Sequence, residues 1–353
     1  MTAVAVSLTE PVVADVMPPR SRVRLVWRLI LFAVLVVMLV VEGFVLGPYL
    51  SKAGDALASP DGRWLGFAVF TEFASMAAFA RVQRRMLITG GSRVPIHQMI
   101  ALTYAANAVS VTLPGGAALS TAYVFRRLRR WGATVPAAGF TVIASGVLST
   151  VSFALLALAC AILAGTGDVS AVLILGAVAF GAIAWMLARR HGTQALIVAL
   201  VSRTLRRTNR VLRRPADSGL SGVQHFIAEL TAVKPRHRDW LIGLGLAGLN
   251  WVADLACLYA SCRAVDATHT TVLLVMVAYI AGMSGSSISL LPGGLGVVDA
   301  AMIFALTSGG VGTVSATAAV ILYRLISYAL IVALGWIVWT SMWLAERRTA
   351  PIG

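Results

Sequence analysis

Six long apolar runs, at 25–47, 63–80, 137–164, 169–188, 240–261 and 314–342, constrain this chain more than any other feature of its sequence. Each is close to or above the roughly 20 residues that carry an α-helix across a hydrocarbon core. With no water present, the backbone must satisfy its own hydrogen bonds, so each run is expected to be a helix. Composition agrees, because 59% of residues are hydrophobic and only 12% are charged, where a soluble domain carries about 25%. An all-α, polytopic integral membrane protein follows. The first run exceeds the roughly 7–15 apolar residues of a signal-peptide core, so it is expected to stay as an anchor.

The cations set an orientation. Of the 29 Lys and Arg residues, only Lys52, Arg63 and Arg263 fall in connections on one side. Arg324 lies within a span, and the other 25 collect on the opposite side. The positive-inside rule makes that crowded side cytoplasmic and places both termini there, in a bacterial cytoplasmic membrane. The expected organisation is a disordered tail (1–24), a first membrane half (25–188), a basic cytoplasmic connector (189–238), a second membrane half (239–345) and a short tail (346–353).

The net charge of +15 is no sign of nucleic acid, since the cations flank apolar runs and no basic face is interleaved with aromatics. In the connector, Arg203, Arg206, Arg207, Arg210, Arg213 and Arg214 share one arc of a helix, opposite Val201, Leu205 and Leu212. Such a helix either lies on an anionic cytoplasmic leaflet or is a solvated surface helix. Cys160, Cys257 and Cys262 sit in apolar segments without CxxC or Cys/His spacing, so no metal, cofactor or disulfide framework is expected.

Two further apolar regions, 97–131 and 270–308, are each interrupted by the same tetrapeptide, Leu113-Pro-Gly-Gly116 and Leu291-Pro-Gly-Gly294. Proline removes a backbone donor and glycines favour a sharp turn. One reading is a turn between short helices at the membrane surface. The other is broken backbone at membrane depth, tolerated only where it is buried in protein or lines a wet cavity. By the charge count the first hairpin opens to the cytoplasm and the second to the outside, which is the pattern of an inverted repeat. Substrate then sits at the breaks, where Pro114, Gly115, Gly116, Pro292, Gly293 and Gly294 turn the chain. The helices that follow point positive ends inward, toward an anion such as a lipid phosphate.

Ionisable residues inside spans are costly and therefore candidates for function. Arg324 sits in the last span, and Asp299 follows the second break by an expected two turns. They can pair, as part of a binding site or as a purely structural pair. Glu72 and Asp254 are the other acids deep in spans, whereas Glu42 in the first run falls near an interface. Either can accept a proton in a coupled cycle, or simply hydrogen-bond a neighbouring helix.

The segment Leu291-Pro-Gly-Gly-Leu-Gly-Val-Val-Asp299, followed by Tyr323-Arg324, resembles the lysylphosphatidylglycerol synthase transmembrane-region family. So does Asn107 with Leu113-Pro-Gly-Gly116, ahead of an arginine cluster and Trp131-Gly132. The resemblance spans roughly 20–345. It implies kinship with the flippase half of multiple peptide resistance factors, which moves aminoacylated phosphatidylglycerol between leaflets. Other members stand alone or are associated with glycolipid and polysaccharide assembly. It adds Asn107 to the substrate-binding candidates and, with the sequence ending at Gly353, implies a member without the synthase domain. The family's first motif often continues with Gly-Glu and an arginine, where Ala118-Leu119 stand here, and its glutamate after the second motif is Asp299.

The expected function is a flippase or scramblase for an anionic phospholipid, glycolipid or polyprenyl-phosphate-linked molecule. Two alternatives are an integral membrane transferase on a lipid-linked substrate and a non-catalytic partner of a cell-envelope enzyme. No Asp-x-Asp, HExxH or nucleophile-base spacing supports a catalytic residue. The sequence leaves open whether the chain forms a homo-oligomer.

Overall fold

A computed structural model describes residues 59–113, 115–165, 235–286 and 296–349, together with the single residues 54, 57, 203, 233 and 294. The runs at 25–47 and 169–188, the N-terminal tail and nearly all of the arginine-rich connector lie outside the described residues. Every regular element among the described residues is helical.

The order is α1 (Gly62–Thr89), α2 (Ile96–Thr112), α3 (Gly116–Arg130), α4 (Val135–Leu163), α5 (His237–Ala264), α6 (Val272–Ser286), α7 (Val297–Ser308) and α8 (Thr313–Arg324). A π-helical turn, Leu325–Leu330, then leads into α9 (Ile331–Thr349). α1, α4, α5 and the continuous stretch Thr313–Ala345 are long and apolar enough to cross a membrane. α2 with α3, and α6 with α7, are helix pairs that flank the two expected breaks.

Local chemistry sets the helix starts. Asp61 Oδ1 accepts from Arg63 N–H at 2.8 Å and opens α1, and Thr134 caps α4 just ahead of Pro136. Within the helices, Thr103, Thr112, Thr141 and Ser261 donate their hydroxyls to the carbonyl four residues earlier. These polar side chains therefore need no partner from outside their own helix.

Burial is distributed as lipid solvation requires. Large apolar side chains point outward, among them Ile162, Leu241 and Phe304, each at least 70% exposed. The interior holds Ala, Cys and Leu together with Glu72, Asp299 and Arg324. A soluble protein also buries Ala, Cys and Leu, but it seldom exposes so many large apolar side chains or buries charge so fully.

α1 and α5 form the central antiparallel pair. Asp61 N–H donates to Ala264 O, Trp64 stacks edge-on against Tyr259, Asn250 donates to Ser75 Oγ, and Arg85 pairs with Asp239. These contacts fix two ends of the bundle. The Arg85 end holds Arg81, Arg84, Arg93, Arg126, Arg127, Arg129, Arg130, Arg236 and Arg238, and the Asp61 end holds Arg63 and Arg263. Chain order then opens the α2–α3 hairpin at the arginine-rich end and the α6–α7 hairpin at the other.

Glycine lets the hairpins close. A Cβ on Gly282 would lie 2.6 Å from Met302 Cγ, so α6 and α7 meet closely there. On Gly335 it would lie 2.4 Å from Tyr104 O, where α9 rests on the α2 backbone. Gly282 and Gly285, small residues before the second break, serve close packing against Met302 and Val297.

Candidate functional site

Arg324 ends α8 and is 7% exposed, as is Asp299. Arg324 Nε donates to Asp299 Oδ1 at 2.5 Å. The other carboxylate oxygen accepts the Gly296 N–H at 3.0 Å. Gly294 and Gly296 both have positive φ, 69° and 78°, a conformation open to glycine at little cost. The chain needs both to turn, so α7 begins only at Val297 and Asp299 falls in its first turn. That corrects the expected two-turn offset. Asp299 therefore fills the positive end of α7 with a carboxylate while holding the arginine. An incoming anion must compete with Asp299 there.

The first break is built differently. Gly115 takes φ +67° as the residue before α3. Gly116 has ordinary φ but no room, since a Cβ on it would lie 2.0 Å from Ser110 O. Ser120 Oγ donates to Ala106 O at 2.8 Å and ties α3 back to α2. No side chain caps the start of α3. The adjacent Pro114, like Pro292 and Gly293 of the second break, lies outside the described residues.

One turn of the last span touches both breaks. Arg324 reaches Asp299, and Tyr328, across the π-helical turn, donates its hydroxyl to Val111 O at 3.4 Å. The Arg324 guanidinium lies 5.8 Å from the centre of the Tyr328 ring, within cation–π range. Asn107 is half-buried on the α2 face that also carries Tyr104 and Val111, by helical register. The structure thus brings Arg324, Asp299 and the first break to one locality.

A second polar group adjoins it. Asp254 on α5 accepts from Tyr279 Oη at 2.7 Å and from Tyr323 Oη at 2.9 Å. Glu72 on α1 lies within hydrogen-bonding reach of Asp254. Tyr104 on α2 lies within electrostatic reach of Glu72, and Arg324 of Asp254. Glu72 and Asp254 are thus one cluster, which the sequence did not reveal. The sequence also left Tyr279, Tyr323 and Tyr328 without roles. The spacing of Tyr323 and Tyr328 around Arg324 was a usable signal, whereas nothing local marks Tyr279.

An open groove of 680 Å³ runs between α3 and α4, lined by Ala117, Ala118, Thr121, Phe125, Ile143 and Arg126 among others. Its lining is apolar apart from Thr121 and the exposed Arg126, toward the arginine-rich end of α3. Cys160, Cys257 and Cys262 are free and buried. Among the described residues, no group of three or more His, Cys, Asp or Glu side chains is placed to hold a metal.

Comparison with known proteins gives a concordant result. A model of the family described as "Lysylphosphatidylglycerol synthase TM region" matches residues 24–335. A UPF0104 membrane protein of Methanothermobacter thermautotrophicus is 28% identical over 324 residues, covering 87% of this chain and 93% of that protein.

Proposed function

Because the chain belongs to the lysylphosphatidylglycerol synthase TM region family, and because its last span joins two broken hairpins at a buried arginine, we propose that it carries an anionic lipid between leaflets. The observation that supports this most is the Arg324–Asp299 pair at the second break. A guanidinium held by one carboxylate, beside a helix start, can exchange that carboxylate for a lipid phosphate. Asp299 then keeps Arg324 satisfied while the site is empty. The hairpins open to opposite ends of the bundle, so a site between their breaks can be reached alternately from either leaflet.

The α3–α4 groove supports the same reading. Apolar walls suit an acyl chain, and Arg126 at the charged end suits the headgroup. Leu119, 44% exposed on α3, stands where the family often has a charged residue, which fits a substrate other than lysylphosphatidylglycerol. The arginine-rich end is cytoplasmic in this reading, and the basic connector faces the anionic leaflet.

The test is a leaflet-exposure assay with purified protein in phosphatidylcholine vesicles containing fluorescent phosphatidylglycerol. Wild type should expose inner-leaflet lipid to a quencher, and Arg324→Lys should do so about tenfold more slowly. That factor follows from losing about 1.5 kcal/mol of charged hydrogen bonding. Vesicles with and without protein that behave alike would sink the proposal.

A further inference from the structure

We infer that Glu72 and Asp254 form a reversible proton-binding site in the core of the membrane, and that its proton is the coupling ion for lipid movement. The coupling half of this inference rests on the transport reading above; the proton-binding half does not.

The geometry is specific. Glu72 is 2% exposed, and its Oε2 is buried with no hydrogen-bond partner. Asp254, half-buried, is the more accessible member and accepts two tyrosine hydroxyls. Two carboxyls in contact inside hydrocarbon cannot both carry charge at tolerable cost while no cation faces them, because desolvation and mutual repulsion add. A single proton shared between them satisfies both acids. It also gives the buried Glu72 carboxyl a hydrogen bond.

The surroundings limit what else can neutralise the pair. α6 contributes the Tyr279 hydroxyl, α8 contributes Tyr323 with Arg324 behind it, and α2 contributes Tyr104. α5 adds Cys257 one turn beyond Asp254. Asn250 and Ser75, one turn away on the same helix pair, bond to each other. Arg324 is the one cation that reaches the cluster among the described residues, and it is engaged by Asp299. Tyrosine hydroxyls can donate to Asp254 but carry no positive charge. When the proton leaves, one negative charge is added to the pair. Arg324 is then drawn toward Asp254 and away from Asp299, and the two neighbouring sites communicate through that arginine.

The proton step balances simply. A proton from water on one side adds to the pair through Asp254, is held between Asp254 and Glu72, and returns to water on the other side. No bond other than O–H is made or broken.

Infrared difference spectroscopy of the protein in phosphatidylcholine vesicles, between acidic and alkaline buffer, tests the site directly. Wild type should show a protonated-carboxyl C=O band that disappears reversibly at alkaline pH. Glu72→Gln and Asp254→Asn, which keep size and hydrogen bonding, should each abolish that change. If no such band titrates, or if it titrates unchanged in both variants, the site is refuted whatever the lipid does.

A second arm places a one-unit pH difference across vesicles containing fluorescent phosphatidylglycerol, with the membrane potential clamped. For one proton per lipid the limit is about tenfold leaflet asymmetry, and its sense should reverse with the gradient. The variants should give no asymmetry. Lipid that moves in wild type but ignores the gradient overturns the coupling. A titrating band with no lipid movement under any condition overturns the transport reading and leaves the proton site standing.

Discussion

Removing Arg324 and Asp299 separately and together distinguishes a ligand site from a structural ion pair. Arg324→Met alone leaves the Asp299 carboxylate 7% exposed with only the Gly296 N–H as partner. Breaking a buried pair in this way costs about 3–5 kcal/mol. Insertion scales give roughly 2.5–3.5 kcal/mol for a charged side chain at the centre of a membrane helix. Both exceed the roughly 0.6 kcal/mol typical of a polar contact between membrane helices, so a loss near 3 kcal/mol is the expected size. The compensating change must be Asp299→Asn and not Asp299→Ala. The amide oxygen can still accept the Gly296 N–H, whereas alanine would also cost about 1 kcal/mol of helix capping. The double variant Arg324→Met with Asp299→Asn buries no charge at either position and should recover to within about 1 kcal/mol of wild type. Thermal unfolding in detergent measures the stabilities, and the fluorescent-lipid vesicle assay measures the activity. Restored folding with lipid movement still lost supports the binding site. A double variant that moves lipid at the wild-type rate would falsify the assignment of Arg324 to substrate.

The two glycines of the first break should respond unequally. Gly115→Ala places alanine at φ +67° and should cost about 1 kcal/mol, whereas Gly116→Ala drives a Cβ to 2.0 Å from Ser110 O and should cost about 3 kcal/mol or more. Equal melting temperatures for the two would contradict this geometry. Arg85→Ala breaks a pair whose arginine side chain is 34% exposed; the expected loss is below about 1 kcal/mol, with unaltered lipid movement. Orientation is testable by thiol labelling, since the native cysteines are buried. An impermeant reagent on intact cells should modify Thr268→Cys and spare His97→Cys, both exposed positions at opposite ends of the bundle, and the reverse pattern would invert the topology.

Much of this site was legible in the sequence because its signals are local or rare. Leu-Pro-Gly-Gly twice in apolar surroundings marks two turns wherever it occurs, and the structure finds helix on both sides of each. Arg324 and Asp299 stood out because charge inside an apolar run demands a partner. The start of α7 was misplaced because two positive-φ glycines, 294 and 296, delay it to Val297, and the sequence does not say which glycine ends a turn. The Glu72–Asp254 contact depends on how α1 and α5 align along their length. That alignment is fixed by pairs such as Asn250 with Ser75 and Trp64 with Tyr259, which no periodicity within either helix reveals.

The π-helical turn Leu325–Leu330 lies where one span serves both halves. From this wider turn Arg324 reaches Asp299 beside the second break and Tyr328 reaches Val111 beside the first, while the two side chains stay within cation–π range of each other. Beyond it, Gly335 brings α9 close against the α2 backbone at Tyr104, so the first hairpin leans on the same span that carries the arginine. Tyr323, next to Arg324 in the chain, holds Asp254. Movement of this one turn would therefore change the surroundings of the ion pair, the carboxyl pair and the first break together. In the transport reading proposed above, two hairpins opening to opposite ends need such a shared element, because separate supports would leave the two halves free to open independently.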